Sequence, residues 1–291
     1  MSVSHLPHPA RRPDRLLEPQ PYVPSAAQTL PLWRRILEAS SWRQALLLVL
    51  LAGLWEVAAR WADNDLLLPT FTAAARALVT DLASGELLMR AGVSLRLLLQ
   101  GYGLGVVLAL GLTALATASR WGRDLLASLT AMFNPLPAIA LLPLALLWFG
   151  LGARSLIFVL VHAVLWPLAL AASAGVSAVP ETLRMAGRNY GLTGPRFVAQ
   201  ILLPAALPSV LAGLRVGWAF AWRTLIAAEL FFGASSGQGG LGWYIFQNRN
   251  ELMTDHVFAG LALVILIGWL VERLVFSSVE RWTVQRWGMQ R

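Results

Sequence analysis

The sequence predicts an all-α protein that crosses a membrane six times. Three observations carry this. Hydrophobic residues make up 57% of the 291 positions and charged residues 13%, against about 25% charged in soluble domains. Six apolar stretches each approach or exceed the roughly 20 residues that span a hydrocarbon core. None alternates with a period of two, so the spans are helices rather than barrel strands. So few charges cannot cover a water-facing surface, which excludes a soluble enzyme or a disordered chain. The sequence has no cysteine, which excludes a disulfide scaffold, thiolate metal sites and cysteine nucleophiles.

The chain divides into a tail (1–43), a membrane domain (44–280) and a short C-terminal tail (281–291). Seven of the sixteen prolines lie in residues 1–31; such a stretch neither forms a helix nor buries much apolar surface. Leu30 to Arg43 reads as a short interfacial helix anchored by Trp33 and Trp42. No signal peptide is present, because the first apolar run begins only near Ala45. The spans fall at about 44–62, 93–118, 125–149, 156–179, 209–232 and 257–276.

All 23 basic residues are arginine, and the net charge is +8. In a membrane chain this excess reports topology rather than nucleic-acid binding. With the N-terminus inside, the inner segments hold fourteen arginines and the outer loops four. That bias puts both termini in the cytoplasm. The first outer loop carries an amphipathic helix from Thr72 to Leu88, entered through Asp63, Asn64, Asp65 and Pro69.

The third span contains Asn134, Pro135, Pro137 and Pro143. Prolines break a helix, and lipid tolerates the break only where protein or a cavity satisfies the freed groups. Two readings stand: a kink inside a packed bundle, or a wall of a translocation path. Pro167 adds a second break in the fourth span.

Between the fourth and fifth spans lies a long inner loop, Pro180 to Pro208. Pro180-Glu181 suits a helix start. Leu183, Ala186, Gly187 and Tyr190 then form one stripe, and Arg184 and Arg188 lie on another face. Gly191 ends the helix. After the turn at Thr193-Gly194-Pro195, a second helix is expected from Arg196 to Leu203, stopped by Pro204. The stripe fits either a partner docking closely or a surface helix lying on its own bundle.

Met185-Ala186-Gly187, then Gly191, then Ile201-Leu202-Leu203-Pro204 resembles the EAA loop of ATP-binding-cassette importer permeases. One position departs: Met185 stands where that pattern has glutamate. Pro135-Leu136-Pro137, the run to Pro143, Leu147-Trp148-Phe149-Gly150-Leu151-Gly152, Trp222-Arg223 through Ala228-Glu229 and Gly240-Leu241-Gly242 resemble the branch importing nitrate, bicarbonate, taurine and alkanesulfonates. The resemblance covers most of the chain after residue 45. It implies a type I importer (MetI-like) permease fold in a bacterial inner membrane. It also implies a permease homodimer, two ATP-binding cassette subunits and a periplasmic binding protein. ATP and Mg²⁺ would sit on the ATPase; this chain has no phosphate-binding Walker pattern and needs no cofactor of its own. Implied coupling residues are Leu183, Arg184, Met185, Ala186, Gly187, Tyr190, Gly191, Ile201, Leu203 and Pro204.

The candidate path residues are Asn134, Pro135, Pro137, Trp148, Trp222, Arg223 and Glu229. Arg223 and Glu229 are ionisable groups within a span, which are costly in lipid and face a partner or a cavity. Six residues apart, they lie about 120° from each other and do not pair directly. Arg223 is the candidate attractor for an anionic solute, and Glu229 a candidate for shaping the gate. Trp166 and Trp218 are further candidates for cavity lining. His162 reads as a hydrogen-bonded packing residue. No cluster has metal-ligand spacing. Two competing classes are an ion-gradient-driven secondary transporter and an intramembrane serine hydrolase. The second would use the loop Gly233-Ala234-Ser235-Ser236-Gly237 with His256.

Overall fold

The computed structural model of the chain describes residues 40–232 and 239–285. The expected interfacial helix at 30–43 and the serine-containing loop thus lie largely outside the described residues. The chain forms two units, Met1–Leu51 and Ala52–Arg291. Of the first, the description covers the opening half of one apolar helix, α1 (Ser40–Ala62).

All regular secondary structure among the described residues of the second unit is helical. After α1 come α2 (Phe71–Ala83), α3 (Glu86–Ala118), α4 (Arg120–Phe133), α5 (Leu142–Phe149) and α6 (Ala153–Ser177). Then follow α7 (Glu181–Asn189), α8 (Gly194–Phe197), α9 (Leu203–Phe232), α10 (Leu241–Asn250), α11 (Thr254–Leu270) and α12 (Ser277–Glu280). Among the described residues, five helices are long and apolar enough to cross a membrane, and six spans result if the pair around the proline break counts as one. This matches the six spans expected from composition.

Two boundaries differ from the sequence reading. The outer helix stops at Ala83 instead of continuing to Leu88. Ser84 turns its hydroxyl onto the Asp81 carbonyl (3.1 Å), and Gly85 adopts φ +83°; hydroxyl back-bonding of this kind competes with helix propagation. Glu86 then opens a helix of 33 residues. The second expected helix of the inner loop also does not stop at Pro204. It passes through a π turn, Val198–Leu202, straight into α9. Proline lacks an N–H and its ring collides with the carbonyl four residues back; a wide turn just before it eases both demands.

The buried centre is α6, flanked by α3 and α9. Lipid tails compete with apolar side chains, so helices associate in a bilayer through close backbone approach. On α3, Gly101 faces Leu160 and Gly105 faces Val164; a Cβ at Gly105 would fall 2.8 Å from Val164 Cβ. On α9, Gly213 faces Ala171 and Leu168, and Gly217 faces Val164. A Gly-x-x-x-Gly pair on each neighbour therefore receives the same helix. Tyr102 reinforces the trio by donating to the Leu214 carbonyl (2.9 Å). Near the middle of α9, Arg215 forms ion pairs with Glu272 and Glu280, each at 2.9 Å. These fasten α9 to the last helical stretch.

Three other elements meet at one carboxylate. Asp81 on α2 is buried. It accepts from the Tyr244 hydroxyl on α10 and lies 2.6 Å from Nδ1 of His256 on α11. Burial, and then the hydrogen bond and charge of Asp81, push the Tyr244 hydroxyl well above its ordinary pKa. Its protonated form is thus the one the fold favours.

Replacing Gly105 with Leu is expected to lower the thermal unfolding midpoint of the detergent-solubilised protein, at a cost of about 1–3 kcal/mol for overpacking. Gly103→Leu, which meets nothing within 4 Å, should leave it unchanged. A folded-state pKa above the unfolded value of about 10 gives stability that is present below pH 10 and lost above it. Tyr244→Phe should therefore be less stable than the parent at neutral pH. The gap should narrow as thermal melts are taken from pH 9 to pH 11.

Candidate functional site

The first candidate is α7. Glu181 sits in its first turn, where a carboxylate complements the positive end of the helix dipole. Arg184 turns back onto the end of α6: Nη2 donates to the Val176 carbonyl (2.6 Å) and Nε to that of Val179 (3.2 Å). Val176 is in the last turn of α6, where its carbonyl also accepts from the Val179 N–H (3.3 Å), and Val179 follows the helix. Gly187 is buried, and a Cβ there would lie 2.8 Å from Ile201 and 2.9 Å from Phe197. Gly191 closes the helix at φ +73°, a left-handed conformation that glycine adopts without strain.

The stripe read from the sequence is thus divided. Gly187 faces inward onto the π turn and α8, and its small size serves the chain's own packing. Ala186 is half-buried. The exposed apolar surface comes from Leu183 (40%), Met185 (49%) and Tyr190 (86%). Ile201 and Pro204 are half-buried and Leu203 is exposed. So α7 is held at both edges, to α6 by Arg184 and through Gly187 to α8 and the π turn that leads into α9, with its apolar outer surface exposed.

The second candidate is a cavity of about 630 Å³ between the broken span, α6 and α9, within the range of small-molecule sites. The break is abrupt: the halves Arg120–Phe133 and Ala138–Phe149 are bent by 88°. Asn134, Pro135 and Pro137 at the bend line the cavity, as do His162 and Trp166 on α6 and Phe220 and Thr224 on α9. Ser155 closes the far side of the bent segment by donating to the Ala145 (3.1 Å) and Gly150 (2.5 Å) carbonyls.

The other expected path residues sit elsewhere. Trp148 is exposed and packs on Phe158. Trp222 is buried close to Gly268 of α11. Arg223 is exposed next to the cavity wall: Nε donates to the Ala219 carbonyl (2.9 Å), and the guanidinium lies over Phe220, 5.0 Å from the ring centre. Trp218 is buried against Tyr102.

Glu229 is buried and does not line the cavity. Its carboxylate accepts from the Ser94 hydroxyl (2.8 Å) and from the Gly242 N–H (2.8 Å), while Ser94 accepts from the Leu241 N–H (2.9 Å). Together they cap the N-terminus of α10 from two other helices. A Cβ at Gly240 would run into both Ser94 and the carboxylate. This accounts for the glycines on either side of Leu241. Arg223 and Glu229 do not pair, as their spacing predicted.

His162 departs from its expected role. Neither ring nitrogen has a hydrogen-bond partner, although both are buried. Its contacts are aromatic edges of Phe133 and Trp166. Sequence reading also missed Ser94, Asp81 and the helix-capping role of Arg184. The Gly-x-x-x-Gly pairs were readable as a pattern; Ser94 was not, because its partner is 135 positions away.

Comparison with known proteins identifies the class. The family described as the binding-protein-dependent transport system inner membrane component matches residues 101–284. An ABC transporter permease protein of Methanocaldococcus jannaschii is 31% identical over 80% of this chain and 88% of its own length. A protein named as the aliphatic sulfonates transport permease SsuC of Escherichia coli strain K12 is 32% identical over 83% of this chain and 90% of its own. The taurine transport system permease protein TauC of the same organism is 34% identical over 59% of this chain and 58% of its own. These matches favour neither a secondary transporter nor a hydrolase. A bundle of membrane-crossing helices, a proline-broken span and a helix with an exposed apolar face accord with that match: the chain belongs to the family of inner membrane components of binding-protein-dependent transport systems.

Proposed function

We propose that the chain is the permease subunit of an ATP-driven importer of a small anionic solute, of the taurine or alkanesulfonate type and with nitrate or bicarbonate in the same class. Two copies would form the pathway. Two ATP-binding cassette subunits, holding ATP and Mg²⁺, would dock from the cytoplasm, and a periplasmic binding protein would deliver solute from the other side. Both termini are cytoplasmic in this reading, which rests on the arginine bias.

One observation supports coupling through α7 above the others. Its apolar outer surface is exposed, while one edge is bonded to the end of α6 and the other packs on the π turn that leads into α9. A nucleotide can shift a two-state bundle only by binding one state more tightly. It therefore needs a mechanical link that differs between states. Leu183, Met185 and Tyr190 offer the grip; Arg184 and Gly187 carry the displacement into α6 and α9. Met185 provides a thioether in place of a carboxylate, so the grip here is hydrophobic. The names of the sulfonate and taurine relatives, together with Arg223 beside the cavity, favour an anion as cargo.

Arg184→Ala removes the tie to α6 and leaves the outer surface of α7 intact. In proteoliposomes holding permease, ATPase and binding protein, it should keep ATP hydrolysis while solute moved per ATP falls about tenfold, an effect of the size of one charge-assisted hydrogen-bonded contact. An unchanged ratio would remove the lever reading. Arg223→Gln should raise the apparent KM for taurine or methanesulfonate uptake about tenfold with hydrolysis intact. ATP-dependent uptake of choline but of no anion would defeat the choice of cargo.

A further inference from the structure

The cavity wall is almost wholly apolar. Leu170 and Ala174 on α6 and Val216 and Phe220 on α9 present hydrocarbon to it. The ring nitrogens of His162 and Trp166 are buried beyond the reach of water, so both rings show the cavity carbon. Pro135, Pro137 and Pro167 also line it, and proline brings no N–H. Asn134 and Thr224 are the remaining polar side chains, and no carboxylate or arginine stands among the described residues of the wall. Arg223 lies just beyond. It follows Val216 by two helical turns and Ala212 by three, and so shares their face of α9. Its Nε is spent on the Ala219 carbonyl, and the guanidinium is steadied over Phe220. The two Nη groups have no partner among the described residues, although a charge in a span ordinarily finds one.

We infer that the cavity sorts oxyanions by their carbon tail: Arg223 takes the head through its two Nη groups, and the walls from α6 and α9 take the chain. The cargo that fits is an oxyanion with a plain hydrocarbon tail, which among the proposed solutes is an alkanesulfonate. The inference rests on the anion-import reading above and narrows it. Each competitor fails on one count. Nitrate and bicarbonate have no chain and gain nothing from the apolar wall. Taurine has one, but it ends in an ammonium, which is costly to bury without a carboxylate to pair with. Propanesulfonate has a methyl group in the same place and meets no such cost. Each further methylene moved from water onto the wall tightens binding about fourfold while the cavity has room. Head and tail are read by different residues, so mutation can separate them.

The chain has no cysteine, so Ala212→Cys puts a single thiol on the cavity wall, at an exposed position. Its modification by methyl methanethiosulfonate is followed by mass on this chain. The permease–ATPase complex is held in phosphatidylcholine nanodiscs without binding protein. Alkanesulfonates should slow labelling, with the half-protecting concentration falling about fourfold per methylene from methanesulfonate to hexanesulfonate. Propanesulfonate should protect at about one-tenth of the taurine concentration. Arg223→Gln should raise the whole series about tenfold and keep its slope. Val216→Ser should flatten the slope and leave methanesulfonate unchanged. Leu170→Ser, on the other helix, should do the same, and it stands in if Val216→Ser fails to assemble; both positions are half-exposed. A flat series in the parent, or taurine protecting as well as propanesulfonate, would overturn the inference; ATP-dependent taurine uptake by the complete importer would still uphold the import reading. Equal protection by hexyltrimethylammonium would show that the head is not read, which overturns it too. So would protection by phosphatidylglycerol in the nanodisc without any sulfonate, the cavity then being a lipid seat. A thiol that never reacts would also overturn it, the cavity then being closed by the second copy. ATP-dependent uptake of no anion at all would defeat the import reading itself.

Discussion

In a hydrocarbon medium no water is available to a backbone N–H or C=O, and each unmet group costs several kcal/mol. This single constraint organises the described structure. At three helix ends, a side chain from another element comes to meet the backbone. Arg184 meets the carbonyls at the end of α6. Glu229 and Ser94 meet the amides that open α10. Ser155 meets the carbonyls beside the bent span. These polar residues look expensive within or beside spans, and each is explained by the helix terminus it completes.

The same constraint separates two uses of polarity. Glu229 has all its hydrogen bonds inside the protein and belongs to the architecture. His162 and Trp166 have none, although they are surrounded by protein. A charged side chain in a span thus proves structural, while two neutral ones lie in the interior without hydrogen-bond partners. Chemical type alone did not rank them correctly; only the inventory of partners did.

Much of the fold was legible in the sequence because hydrophobic length and proline position are local properties. The six spans, the break at Asn134–Pro137 and the helix beginning at Glu181 all follow from runs of neighbouring residues. The errors came where a local turn left no clear mark in residue type or where the outcome depended on distant groups. Leu88 was placed on the wrong helix because the turn at Ser84–Gly85 was overlooked. Pro204 looked like a stop, since a π turn leaves no mark in residue type. Gly187 looked like an outward docking position because its inward neighbours, Phe197 and Ile201, lie beyond the intervening turn. The arrangement around Glu229 required Ser94 from the second span, and no spacing rule connects them. The cavity was legible only in part: the prolines suggested it, but Trp148, Trp222 and Glu229 do not stand in it.

Fastening α7 on two sides has a geometric consequence for the cavity. The helices it grips, α6 and α9, carry two of the cavity's three walls; the third is the bent segment around Asn134, which α7 does not hold. A pull on α7 drags the gripped pair as one jaw against a comparatively independent jaw. If α7 is the docking helix proposed above, cavity width becomes the variable conjugate to force on α7, and loading that helix and narrowing the cavity are one deformation.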